Sequence, residues 1–297
     1  MALLKELIST IIIKNPLQEA FLDKSVSQIS DVDASALESY ISYWLELGHD
    51  IDFLSDAYNL IVKDTLTEQI FFKRHGHYRY SSYEDVSAAV YNNNEYMSKY
   101  MAGLALTSFL WPNHSCLREY FADTIPKDKR GNYLEIGPGH GFYFMTAMNM
   151  TQYDFFYGID ISPTSVSMTN SILGSGRFGQ FNNYEIRLGN FLEISHDKKY
   201  NCIVMGEVLE HVEEPKAFLQ NISSLIESNG HIYISTCINS PACDHIFLFK
   251  SVEHLTELVT ECKLRVTDQI ILPYAGQTIE ESERNKLPIN IAMVLNR

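Results

Sequence analysis

The sequence lacks any cysteine pattern: Cys116, Cys202, Cys237, Cys243 and Cys262 are odd in number and form no C-x-x-C pair. A disulfide frame is thereby excluded, no metal ligand set is expected from spacing, and the thiols are read as reduced. Long apolar runs are missing too. The longest near the N-terminus, Ile11 to Ile13, lies between Lys5 and Lys14 and is too short for a signal-peptide core or a bilayer span. A cytoplasmic chain with no membrane partner is expected. Positive charge is scarce: 23 Lys and Arg against 37 Asp and Glu leave a formal charge of -14. Nucleic-acid binding recruits a lysine and arginine surface to displace counterions, so no nucleic-acid partner is expected. Internal repeats and low-complexity tracts are absent.

What is present is an ordinary globular composition over 297 residues, 45% hydrophobic and 20% charged, enough for two cores. From Met1 to about Asn113 apolar residues recur at helical spacing, as in Leu37, Tyr40, Ile41, Trp44 and Leu45. Further helices are expected over Leu3 to Lys14, Asp50 to Lys63 and Tyr83 to Leu110. Residues 67–81, two strand-like runs around Gly76, read as a hairpin among the helices. After Asp123 to Gly131 the pattern becomes short apolar strands alternating with helices. Strands are expected at Tyr133–Ile136, Phe155–Ile159, Tyr184–Leu188, Cys202–Met205, His231–Ser235, Leu264–Leu272 and Ile289–Val294, the last two pairable as a hairpin. The expected fold class is therefore α/β, a doubly wound Rossmann-like sheet of seven strands (126–297) behind a mainly helical N-terminal domain (1–125).

The densest chemistry lies in Leu134-Glu135-Ile136-Gly137-Pro138-Gly139-His140-Gly141-Phe142, a strand running through glycines into a helix. Glycines there let the backbone turn sharply and approach a ligand that a Cβ would repel. Glu135, inside the strand end, requires hydrogen-bond donors or a cationic ligand. Asp160 ends the second strand, followed by Ile161, where its carboxylate can accept from both ribose hydroxyls of an adenosine cofactor. Asn190 and Phe191 follow the third strand, an amide and an aromatic suited to adenine. A nicotinamide cofactor is disfavoured, because its fingerprint is Gly-x-Gly-x-x-Gly rather than Gly-x-Gly-x-Gly.

These residues resemble class I S-adenosylmethionine-dependent methyltransferases of the small-molecule branch, over roughly the C-terminal 170 residues. The family's acid-x-Gly-x-Gly-x-Gly motif is matched by Glu135, Gly137, Gly139 and Gly141. The stretch from Tyr200 to Val212, with Glu207-Val208-Leu209-Glu210-His211, is similar to its acid-x-x-Glu-His segment. Leu225 to Cys237, with Asn229-Gly230 as a turn, is similar to its later strand motif. Asn190-Phe191 departs from the Asp-Phe that many members carry. The resemblance implies S-adenosylmethionine as cofactor, held by Glu135, Gly137, Gly139, Gly141, Asp160, Ile161, Asn190 and Phe191, with Glu207 at the edge. It implies methyl transfer to O, N or C of a small metabolite, releasing S-adenosylhomocysteine. Two other readings stay open: ring closure of the cofactor's own side arm, leaving methylthioadenosine, and a non-catalytic cofactor-binding regulator.

A hydroxyl acceptor also requires a base. His211, one turn past the fourth strand, and His245, after the fifth, are the candidates, each equally suited to plain packing. His140 is read as shaping the glycine loop or standing at the cofactor's edge rather than as a base. In the helical domain Tyr78, Tyr91 and Tyr100 belong to an aromatic cluster that could roof a substrate or serve packing and a homodimer contact.

Overall fold

The computed structural model describes residues 1–91, 93–193 and 198–297. Seven helices come first: α1 (Ala2–Lys14), α2 (Glu19–Gln28), α3 (Asp31–Glu46), α4 (Ile51–His75), α5 (Tyr83–Val86), α6 (Asn94–Leu110) and α7 (Pro112–Thr124). The starts of α3, α4, α5 and α6 are set by side-chain caps. Ser30 accepts from the Asp33 N–H, Asp50 from Phe53 and Asn93 from Tyr96, each satisfying a first-turn donor.

The expected hairpin at 67–81 is corrected to the end of a helix. α4 continues to His75 because Leu54, Tyr58, Ile61, Glu68 and Phe72, spaced by one or two helical turns, keep one face buried. Gly76 closes it in the left-handed region (φ 77°), its N–H donating to the Phe72 carbonyl at 2.8 Å. Arg79 then turns back to Glu68, with Nε–Oε1 at 2.9 Å. The expected continuous helix over Tyr83 to Leu110 is also divided, into α5, a π turn at Ser87–Tyr91 and α6. α6 is buried on nearly every side, and it packs most extensively on α4, where Gly103 allows close approach: a Cβ there would meet the Ala57 carbonyl oxygen at 2.2 Å.

The second half alternates β1 (Asn132–Ile136), α8 (Phe142–Met150), β2 (Phe155–Asp160), α9 (Pro163–Gly174), β3 (Tyr184–Leu188), β4 (Tyr200–Gly206), α10 (Pro215–Leu225), β5 (Ile226–Ile238), α11 (Val252–Glu261), β6 (Arg265–Leu272), α12 (Ile279–Arg284) and β7 (Ile289–Asn296). The strands form one sheet in the order β3-β2-β1-β4-β5-β7-β6. The first five are parallel, and β7 pairs antiparallel with both β5 and β6. The last two strands thus pair as expected, but β7 is inserted between β5 and β6, and α12 lies between them in sequence.

The period of two along each strand assigns its faces. Tyr133, Cys202 and Val204 join the core cluster that also contains α8, α9 and the N-terminal helices; Leu134, Ile136, Ile203 and Met205 join the opposite cluster with α10 and α11. Residues on both sides of position 125 share the first cluster, so the helical segment is seated directly on the sheet. Chain order reverses between β1 and β4, which opens a crevice at the strands' carboxyl ends. No helix among the described residues is long and apolar enough to cross a membrane.

Candidate active site

That crevice is a cavity of ≈ 320 Å³ walled by the β1, β2, β3 and β4 ends on one side and by α4, α6 and α7 on the other. Gly137 and Gly139 form its floor. Gly137 adopts φ 68°, and a Cβ on it would come within 2.6 Å of Val208 Cγ2. Gly139 adopts φ 56°, with its N–H donating to Asp160 Oδ2 at 3.1 Å. The other Asp160 oxygen accepts from the Ser162 N–H at 2.9 Å. Burial pushes the Asp160 carboxyl up to about 6, against these N–H groups, which favour the anion.

Ile161, Asn190, Phe191 and Glu207 also line the cavity. Asn190 is pinned by an Asx turn, its Oδ1 accepting from Leu192 N–H at 3.0 Å, and Phe191 packs on Phe218 at 5.5 Å between centroids. Glu207 sits in the left-handed region (φ 53°), and its Oε1 is buried without a hydrogen-bond partner. A non-glycine residue in that conformation is a strain typically kept at working sites. Burial and the neighbouring Glu207 together hold Glu210 well above the usual carboxylate range. The Glu210 side chain accepts from Thr236 Oγ1 at 2.7 Å.

Two residues expected at the cofactor stand behind the wall. Glu135 does not line the cavity; it shares the Tyr133 face of β1, accepts from the Tyr133 hydroxyl and the Phe144 N–H, and is pushed up to about 8 by burial. The donors it requires come from the protein itself. Gly141 lies off the lining as the N-cap of α8, its N–H donating to the Pro138 carbonyl at 2.7 Å.

On the opposite side Tyr91 and Tyr100 line the cavity with Tyr83, Met97, Met101 and Leu104, while Tyr78 does not. Tyr78 is placed behind His245, 5.9 Å between ring centroids, where its hydroxyl accepts from the Ser240 N–H at 3.1 Å. His211 and His245 both line the cavity, and their rings meet edge to face at 4.7 Å. His211 Nδ1 lies 3.0 Å from the Asp244 carbonyl and 3.5 Å from Asp244 Oδ2, and Asp244 Oδ1 accepts from the Tyr100 hydroxyl at 3.0 Å. With Nδ1 donating to that carbonyl, Nε2 of His211 is an acceptor. Burial pushes His245 down to about 4, so it is neutral above that pH, and its Nδ1 lies 2.7 Å from the Ser240 carbonyl.

The third corner was anticipated from sequence only at His140: Ser108 of α6, His114 and Arg118 of α7 and His140 of the glycine loop gather there. Arg118 pairs with Asp33 at 2.8 Å and stacks over Phe109 at 4.7 Å, making it the cavity's cation. His140 accepts at Nδ1 from the Phe142 N–H (3.3 Å), leaving Nε2 to donate to Ser108 Oγ (3.3 Å). Burial holds both His114 and His140 down to about 4. No local pattern marks Arg118; only the docking of α7 on the sheet brings it here.

A glycine cradle that a Cβ would fill, a carboxylate ending the neighbouring strand and a cation opposite suit an adenosyl amino acid: backbone against ligand, Asp160 for hydroxyls, Arg118 for a carboxylate. This fold and crevice define the Rossmann-like S-adenosylmethionine-dependent class. Residues 114–278 match the family described as a methyltransferase domain, and the chain belongs to that family. It is 32% identical over 78 residues to a mitochondrial ubiquinone biosynthesis O-methyltransferase of Dictyostelium discoideum, covering 26% of this chain and 24% of that protein. The chain thus spans about a quarter of the length of the curated relatives it matches. Among solved structures, it is similar in fold to geranyl diphosphate C-methyltransferase from Streptomyces coelicolor A3(2), with TM-score 0.50 at 15% identity over 68% of this chain and 84% of that one. It is likewise similar to the cyclase SpnF, with TM-score 0.50 at 12% identity over 62% and 80%.

Proposed function

We propose that the chain transfers the methyl group of S-adenosylmethionine to a hydroxyl oxygen of a small acceptor, releasing S-adenosylhomocysteine. The observation that carries this is the meeting, in one cavity, of the Gly137–Asp160 cradle with a histidine whose free nitrogen is an acceptor, His211. The names of the curated relatives point to the same acceptor atom.

Bound S-adenosylmethionine supplies a methyl carbon already made electrophilic by the sulfonium charge. Asp160 takes the ribose hydroxyls, Asn190 and Phe191 flank the adenine, and Arg118, backed by Asp33, takes the amino-acid carboxylate. Tyr91 and Tyr100 hold the acceptor beside the methyl, so that orientation contributes most of the rate. His211 Nε2 removes the acceptor's proton as the oxygen–carbon bond forms and the sulfur–carbon bond breaks. Asp244 fixes the ring through Nδ1. Within this reading, residues 1–125 select and cover the acceptor and lend Arg118 to the methyl donor, which residues 126–297 otherwise hold.

The test is mass spectrometry of products after incubation with S-adenosylmethionine and a panel of phenolic and aliphatic alcohols. S-adenosylhomocysteine together with a methyl ether supports the reading. Methylthioadenosine instead, or no turnover by a chain that takes up the cofactor, ends it.

A further inference from the structure

Cys237, Glu210 and His245 play no part in the reaction above, yet they converge at the carboxyl edge of the sheet. Glu210 follows β4, Cys237 lies near the end of β5, and His245 is on the loop after it; all three line the cavity. Cys237 Sγ stands 3.8 Å from Glu210 Oε1, 3.7 Å from His245 Nδ1 and 3.8 Å from the Ser240 carbonyl oxygen. One ligand atom from each of the three side chains falls within 4.8 Å of the others. Around this one sulfur stand a carboxyl oxygen, an imidazole nitrogen and a carbonyl oxygen, each an atom that can ligate a metal once free of its proton or hydrogen bond.

Tetrahedral zinc, with bonds of about 2.0–2.3 Å, sets its ligand atoms about 3.3–3.6 Å apart, close to the separations around this sulfur. The donor set narrows the ion. A thiolate with an imidazole and one carboxylate selects a borderline divalent metal over calcium or magnesium, which take oxygen alone. From these atoms we propose that Glu210, Cys237 and His245, completed by the Ser240 carbonyl, bind a zinc ion at the base of the cavity.

Binding replaces the protons on Cys237 Sγ and on the Glu210 carboxyl by the metal and releases both to solvent. The His245 proton now shared with the Ser240 carbonyl, 2.7 Å away, moves from Nδ1 to Nε2, freeing Nδ1 and the carbonyl as ligands. A neighbouring set, His211, Asp244 and His245, shares the same imidazole, and both sets cannot be filled at once. The thiol favours the first. An ion there would tie the end of β5 to β4 and fix the 240–245 loop that presents Asp244 to His211.

The experiment uses the full chain freed of metal by a chelator and titrated with Co²⁺, which gives a thiolate-to-cobalt charge-transfer absorption in the near ultraviolet only when sulfur is a ligand. The expected result is one equivalent of Co²⁺, the charge-transfer band, its displacement by Zn²⁺, and loss of the band in Cys237→Ser with metal affinity weakened more than about tenfold. Absence of the band in the wild-type chain, its survival in Cys237→Ser, or cobalt bound without sulfur character overturns the assignment. If Cys237→Ser does not fold, by circular dichroism, the wild-type band and its Zn²⁺ displacement decide alone. Calorimetric uptake of S-adenosylmethionine by the same preparations keeps this result separate from the functional reading: either can fail while the other stands.

Discussion

At Gly137 the backbone stands at φ 68° with Val208 Cγ2 where a Cβ would project, so Gly137→Ala meets both a conformational and a steric penalty. Cofactor uptake should be lost by calorimetry, while far-UV circular dichroism still reports a folded chain. Asp160 offers a pH signature. Its carboxyl, pushed up to about 6, loses acceptor capacity when protonated, so S-adenosylmethionine affinity should fall as pH drops through 6. Asp160→Asn should bind at least about tenfold more weakly at pH 7.5 and lose that step; an unchanged profile would remove Asp160 from the site. His211→Ala should lower kcat by about a hundredfold or more with little change in cofactor affinity. Asp244→Asn should also lower kcat while leaving KM for the methyl donor unchanged, a split that a purely structural residue would not give.

Among the elements, the contact of α4 with α6 decides the acceptor side of the cavity. Gly103 is the point of closest approach, with only 2.2 Å between a hypothetical Cβ and the Ala57 carbonyl oxygen. Gly103→Ala should therefore push the helices apart, costing about 1–3 kcal/mol by denaturant titration. Because α6 carries Met97, Tyr100, Met101 and Leu104 into the cavity, KM for the acceptor should rise more than KM for the methyl donor. Equal changes in both would argue that α6 does not face the acceptor. The same helices show why 67–81 misleads when read alone. Ile70-Phe71-Phe72 has strand-like composition and Gly76 resembles a turn, yet the burial of Phe72 and the pairing of Glu68 with Arg79 exist only once α4 is packed. By contrast Tyr184–Leu188 is read from sequence at the same bounds as β3, since a short alternating run between turns carries its own signal.

Across the chain, buried titratable groups make stability depend on pH. His114, His140, His231 and His245 are held down to about 4, so between about 4 and 6.5 they bind more protons in the unfolded state and their contribution to stability grows as pH rises. Glu135 is pushed up to about 8, and Asp160, Glu207 and Glu210 are also raised, so from about 4.5 upward these carboxyls bind more protons in the native state and oppose that gain; above 6.5, where the histidines contribute no further change, stability falls toward pH 8. Thermal unfolding should show a Tm that falls from pH 6.5 to pH 8. Glu135→Gln should flatten the alkaline side; a Tm that climbs through pH 8 would contradict the burial of these carboxyls.

Local order was written into the chain by itself. A glycine run after a strand, an acid ending the next strand and the alternation of strands with helices each depend on neighbours in sequence, so the cradle and the sheet could be read without coordinates. Which face of β1 Glu135 takes, that Arg118 and His114 reach the cavity from α7, and that Cys237 stands beside Glu210, 27 residues away, were decided by packing. Those groups meet through the sheet order and the seating of the helices on it, where long-range burial, not adjacency, selects the partners.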